Sequence, residues 1–135
     1  MDESKITILC VDDERIPREL RGLILAKQGY RVVAAASGSE ALEMLHRGGI
    51  QLVLSDQMMP GMSGTDLAKA VRTTWPKLPF LLVSGVNEIP PGAEFADRFV
   101  SKVEGPEALF ANIREVLLQY ECNADSIRAS GEHGT

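Results

Sequence analysis

Short apolar runs alternate with stretches of helical periodicity along this chain. The runs are Ile6–Val11 (ITILCV), Arg31–Ala35 (RVVAA), Gln51–Ser55 (QLVLS), Phe80–Ser84 (FLLVS) and Arg98–Ser101 (RFVS). Too short for helices and largely without polar alternates, they predict strands covered on both faces, as in a parallel sheet. Between them, Pro17–Gln28 places Leu20, Leu23, Ile24 and Lys27 at helical spacing, with Pro17 in the first turn and Gly29 as a stop. Ser37-Gly38-Ser39-Glu40 matches a capping box, in which serine and glutamate satisfy each other's free backbone donors. The helix it opens runs to about Arg47, before Gly48-Gly49. Further helices are predicted over Thr65–Thr74, stopped before Pro76, and over Pro106–Tyr120, where Leu109, Ile113, Val116, Leu117 and Tyr120 form one stripe.

Strands alternating with helices imply an α/β fold with a doubly wound parallel sheet and right-handed crossovers. Val86–Asp97 breaks the rhythm. Pro90-Pro91-Gly92 cannot lie inside a helix, so the fourth helix is expected to be short or missing. Residues 5–120 are expected to form one domain, and 121–135, polar and containing Gly and Ser, a tail or linker.

Composition narrows the function. The chain has 135 residues, 44% hydrophobic and 24% charged, which suffices for one real core. A formal net charge of −5 argues against nucleic acid as a direct partner, since phosphate backbones need clustered Lys and Arg. No apolar stretch approaches the length of a membrane span. Cys10 lies in an apolar run and Cys122 near the polar tail, so a disulfide framework is not indicated and a cytoplasmic setting is expected. His46 and His133 have no ligand partners in sequence.

In an open parallel sheet, functional groups gather at the carboxyl ends of the strands, near the switch in strand order. Asp12 and Asp13 follow the first strand, Asp56 the third; Ser84 ends the fourth and Lys102 follows the fifth. The second strand ends without an acid, which fits an edge position and the order 2-1-3-4-5. Three carboxylates in one crevice repel one another unless a cation sits among them. Oxygen ligands of this kind suit Mg²⁺, which takes one or two carboxylates plus phosphate oxygens. A facing lysine adds a point charge for a phosphoryl oxygen, a serine adds a hydrogen bond, and one carboxylate can attack phosphorus. Taken alone, Asp12-Asp13 reads as a solvated turn and Lys102 as a surface lysine. Taken jointly, they read as a site.

Four motifs, ILCVDDE (Ile8–Glu14), LVLSDQMMPGMSG (Leu52–Gly64), LLVSG (Leu81–Gly85) and FVSK (Phe99–Lys102), resemble those of the bacterial response-regulator receiver domain. The resemblance spans about Lys5 to Tyr120. It implies a flavodoxin-like three-layer sandwich and a phosphorelay role in which a histidine kinase or phosphotransfer protein supplies a phosphoryl group to Asp56 with Mg²⁺. It implies that Asp12, Asp13 and Asp56 bind the metal with the backbone carbonyl of Met58. Ser84 and Lys102 would contact the phosphoryl group, and Ser84 and Phe99 would relay its arrival. Output would pass through a downstream protein partner or fused domain, without turnover of an external substrate.

The chain departs from the family in three places. Val103 stands where a proline usually follows the lysine, so a trans bond is expected there, because a cis bond to a non-proline costs about 2.5–4 kcal/mol. The reduced fourth helix alters the family's output face. Met58 and Val86 flank the phosphoryl position without a polar group to orient water, which predicts a long-lived phosphoryl group. Two alternatives follow: a pseudo-receiver that binds proteins without phosphorylation, and a haloacid-dehalogenase-type hydrolase. The second expects an acid two residues beyond the nucleophile, where Met58 stands.

Overall fold

The computed structural model describes residues 6–85 and 89–134, of which 121–134 are described as helical backbone only. Strands β1 (Thr7–Val11), β2 (Arg31–Ala35), β3 (Leu52–Asp56), β4 (Phe80–Ser84) and β5 (Arg98–Ser101) alternate with helices α1 (Arg15–Lys27), α2 (Gly38–Arg47), α3 (Gly64–Thr74) and α4 (Pro106–Gly134). The five strands form one parallel sheet in the order β2-β1-β3-β4-β5. Residues of β1, β3 and β4 are buried throughout, as continuous apolar runs require, while β2 lies at an edge and is mostly accessible.

Alternate strand residues feed two cores, because successive side chains point to opposite faces. Ile8, Cys10, Leu52, Leu54, Leu81, Val83 and Val100 pack with Leu25 of α1 and with Leu109, Phe110, Ile113 and Val116 of α4. Leu9, Val11, Val53, Phe80 and Leu82 pack with Ala41 and Leu45 of α2 and with Leu67, Ala68 and Val71 of α3. The expected three layers are therefore present. No α-helix lies between β4 and β5 among the described residues; only a 3-10 turn at Ala93–Phe95 occurs there.

Several local expectations change. The apolar stripe of α1 is rotated from the predicted one: Leu20 and Leu23 are exposed, and the buried residues are Arg21 and Leu25. An arginine displaces leucine from the interior because a buried acid awaits it, as described below. The capping pair of α2 is only half reciprocal. Ser37 accepts from the Glu40 N–H at 3.1 Å, but the Glu40 carboxylate accepts from the Ala36 N–H at 2.6 Å rather than from Ser37. A complete capping box instead opens α3, between Ser63 and Asp66. Beyond Tyr120 the backbone of α4 stays helical to Gly134, where a tail was expected; neither Pro nor Gly interrupts 121–130. Trp75 caps α3 and meets His46 edge to face at 4.9 Å. Met58 is 72% exposed. The side chains of Cys122 and His133, and all of Val86, lie outside the described residues.

Candidate functional site

The carboxyl ends of β1 and β3 lie side by side in the sheet, which brings the acid after one next to the acid ending the other. One carboxylate oxygen from each of Asp12, Asp13 and Asp56 lies within 4.8 Å of the others. Asp12 and Asp56 are buried and Asp13 is exposed. Buried carboxylates need cations or donors, and both have them. Lys102 Nζ lies 2.7 Å from Asp56 Oδ1. Asp12 Oδ2 accepts from Arg21 Nη1 at 3.2 Å, and Asp12 Oδ1 accepts from the Glu14 N–H at 3.0 Å. Arg18 Nη1 donates to the Asp12 carbonyl at 2.9 Å.

Lys102 reaches Asp56 although Val103 follows it. No cis peptide bond occurs among the described residues, so the Lys102–Val103 bond is trans, as expected. A 3-10 turn over Lys102–Glu104, capped by the Ser101 side chain and closed at Gly105, aims the lysine inward. Ser84 is buried at the end of β4 and stands opposite Ser101. Phe99 pairs with Leu82 one strand over and is half-buried against the α2–α3 core. Met58 follows Asp56 by two residues, with its side chain in solvent.

Asp56 is also fixed from behind, through groups the sequence reading missed. Gln57 accepts from the Gly64 N–H through its carbonyl at 2.9 Å and from the Thr65 N–H through Oε1 at 2.9 Å. Its Nε2 donates to Thr65 Oγ1 at 3.3 Å. The first turn of α3 is thereby stapled to the residue next to Asp56. A Cβ at Gly64 would lie 2.4 Å from the Asp56 carbonyl oxygen, so only glycine allows this approach. Gln57 and Gly64 stood inside the recognised motif, which was the available signal. Arg21 gave none, since its role depends on the rotation of α1.

The donor set fits a small hard cation: three carboxylates converge, and the exposure of Asp13 leaves room for water. Cys10 takes no part. It is wholly buried, and burial pushes its thiol up to about 12, with the nearby Asp12 adding to the rise and Arg21 opposing it.

Residues 8–114 match the family model for the response regulator receiver domain. The chain belongs to that family. It is 34% identical over 125 residues to sensory transduction protein RegX3 of Mycolicibacterium smegmatis, covering 89% of this chain and 54% of that protein. It is 32% identical over 123 residues to transcriptional regulatory protein GlrR of Escherichia coli, covering 88% and 28%. The receiver thus spans about half, or less, of the length of these curated relatives. Among solved structures, response regulator TrrA of Thermotoga maritima in complex with Mg(2+)-BeF shares 30% identity, with a TM-score of 0.78 over 82% of this chain and 98% of that one. TrrA in complex with histidine kinase ThkA gives 31% and 0.77 over 83% and 98%. Among the described residues, no helix is long and apolar enough to cross a membrane.

Proposed function

We propose that Asp56 accepts a phosphoryl group from the phosphohistidine of a histidine kinase or phosphotransfer protein. One observation carries this reading: Lys102 Nζ stands 2.7 Å from Asp56 Oδ1, at the rim of a three-acid cluster. An Asp56 oxygen forms the new bond to phosphorus as the bond from phosphorus to the histidine nitrogen breaks, and that nitrogen takes up a proton. Lys102, already against Asp56, would follow a phosphoryl oxygen and offset its charge. Ser84 would donate its hydroxyl to another. Asp12, Asp13, Asp56 and the Met58 carbonyl would hold Mg²⁺, which when bound neutralises charge on the transferring group. Movement of Ser84 toward the phosphoryl group would be felt at Phe99 on the neighbouring strand.

The pairing of TrrA with a histidine kinase supports a kinase as donor. A sensor kinase, CckA of Brucella abortus, is 36% identical over 119 residues and is covered over only 12% of its length, so receivers also occur within larger chains. Output through a fused domain or a protein partner follows, with 5–120 as the receiver unit and 121–135 leading from it. A cytoplasmic setting without direct nucleic-acid contact completes the reading; the net charge of −5 supports the latter.

Intact-protein mass after incubation with a small acyl phosphate and Mg²⁺, beside Asp56→Asn, tests it. A phosphoryl adduct on the native chain alone is expected. Its absence in a folded protein that binds Mg²⁺ would turn the reading to a pseudo-receiver.

A further inference from the structure

Arg21 is a charged residue buried in the interior of the fold. It sits on the buried face of α1 with its side chain only 10% exposed, in a groove whose apolar wall includes Leu20, Ile24, Val83, Val100 and Leu109 and whose far side carries Lys102. That groove holds about 310 Å³ and is predominantly apolar. A guanidinium in such surroundings is costly unless it is paired. Its pair is Asp12, 1% exposed, whose Oδ2 it holds at 3.2 Å. The Glu14 N–H takes Oδ1 at 3.0 Å. Both oxygens of this acid are therefore engaged by the chain itself. Of the three clustered acids, Asp56 faces Lys102 and Asp12 faces Arg21, leaving Asp13 exposed to solvent.

We infer that Arg21 is a resident counter-cation of the acid pocket. It balances Asp12, keeps the pocket folded without metal, and weakens the pocket's affinity for a divalent cation. The inference rests on the metal-assisted reading above. Lys102 can leave Asp56 for a phosphoryl oxygen, but Arg21 is anchored in the α1 face and keeps its charge beside the pocket. A bound dication then shares Asp12 with a fixed positive charge, and the two repel.

The test uses the full chain with Arg21→Gln, which is neutral but keeps a donor for Asp12, together with Arg21→Met and the charge-retaining Arg21→Lys. Mg²⁺ binding is measured by calorimetric titration, and thermal unfolding is followed in chelator and in Mg²⁺. Removing one unit charge this close should tighten Mg²⁺ binding on the order of tenfold in Arg21→Gln. Its melting temperature should rise more steeply with Mg²⁺ than that of the native chain, since a ligand that binds the folded state alone stabilises in proportion to the logarithm of its concentration over Kd. Arg21→Met should show the same trend from a lower starting stability, and a variant that folds only with Mg²⁺ counts in favour. Arg21→Lys should bind as the native chain does. Mg²⁺ binding by Arg21→Gln no tighter than native would overturn the inference, as would equal tightening in Arg21→Lys. Tighter binding without phosphorylation of Asp56 in any chain would leave the inference standing and remove the phosphoacceptor reading. No Mg²⁺ binding by any chain would remove both.

Discussion

Gly64 offers the sharpest test of how this sequence builds its site. A Cβ there would lie 2.4 Å from the Asp56 carbonyl oxygen, 2.5 Å from Leu82 Cδ1 and 2.9 Å from the Gln57 Cα. Two of these are backbone atoms, which no rotamer change can move. Ordinary contact begins near 3.4 Å, so roughly 1 Å must open between the first turn of α3 and the end of β3. Overpacking of this kind costs about 1–3 kcal/mol. Alanine's better helix propensity returns part of up to about 1 kcal/mol, and less than the full amount at a first helical position. The net expectation for Gly64→Ala is a loss of about 1–2 kcal/mol, or roughly 1 M in urea midpoint for an m-value of about 1.5 kcal/mol/M.

The displacement should also reach the chemistry. Gln57 is bound to Gly64 and Thr65, so α3 cannot retreat without dragging the residue beside Asp56. A misplacement of about 1 Å can cost about 10²-fold in rate. The assay pairs urea unfolding with the initial rate of Asp56 phosphorylation by a small acyl phosphate. Gly22→Ala is the matched control: its Cβ would meet only Val32 Cγ1, at 3.5 Å, inside α1. It should gain about 0.5–1 kcal/mol and phosphorylate normally. A Gly64→Ala protein with native urea midpoint and native rate would refute the reasoning.

Other consequences are equally open to measurement. Arg72→Ala should lose about 2–3 kcal/mol in urea unfolding, because this side chain donates to the carbonyls of Phe95, Pro76 and Leu78 and pairs with Asp97 at 3.0 Å; Arg72→Lys should recover little, since an ammonium cannot reproduce the fork. In a Cys122→Ser background, Cys10 should resist thiol reagents at neutral pH until the protein unfolds, and rapid native-state labelling would contradict its burial. Cys10, Tyr30 and Tyr120 all have folded-state values raised above their unfolded ones, chiefly by burial. The Cys10 contribution is therefore full below about pH 9 and is lost as pH climbs toward about 12, and those of the two tyrosines are lost in the same upward direction, which urea midpoints at alkaline pH would reveal. Met58→Asn should shorten the lifetime of the Asp56 phosphoryl group by supplying a polar group to orient water; an unchanged decay rate would count against slow hydrolysis set by Met58.

The sheet and the acids were legible because both leave strong local marks. Unbroken apolar runs such as Ile6–Val11 and Phe80–Ser84 admit little but doubly covered strands, and the reactive side chains fall at their ends. What escaped depends on orientation. Leu20 and Leu23 satisfy a helical stripe as well as Arg21 and Leu25 do, and only the position of α1 against Asp12 selects the second set. The same holds for Gln57, an ordinary loop residue until α3 is folded against it. Val103 illustrates the converse: a departure from the family's proline leaves Lys102 in contact with Asp56, because Gly105 and the Ser101 cap shape the turn without it.

The segment between β4 and β5 shows how the chain closes this side of the sheet without an α-helix among its described residues. Ala93, Phe95, Ala96 and Phe99 lean on the α2–α3 core. Polar clamps then hold the segment in place. Arg72 grips the Phe95 carbonyl and Asp97, Asp97 accepts from the Phe80 N–H at 2.8 Å, and the Tyr120 hydroxyl donates to Asp97 at 3.0 Å. Asp97 thus ties α3, β4 and α4 together at one carboxylate. Phe99 lies two residues beyond this knot and one strand from Ser84. A rearrangement passing through Phe99 therefore works against a short 3-10 turn, its few apolar contacts with the α2–α3 core and a set of hydrogen bonds centred on Asp97. The surface changed by phosphorylation should accordingly centre on the segment from Ile89 to Asp97 and its Arg72 anchor.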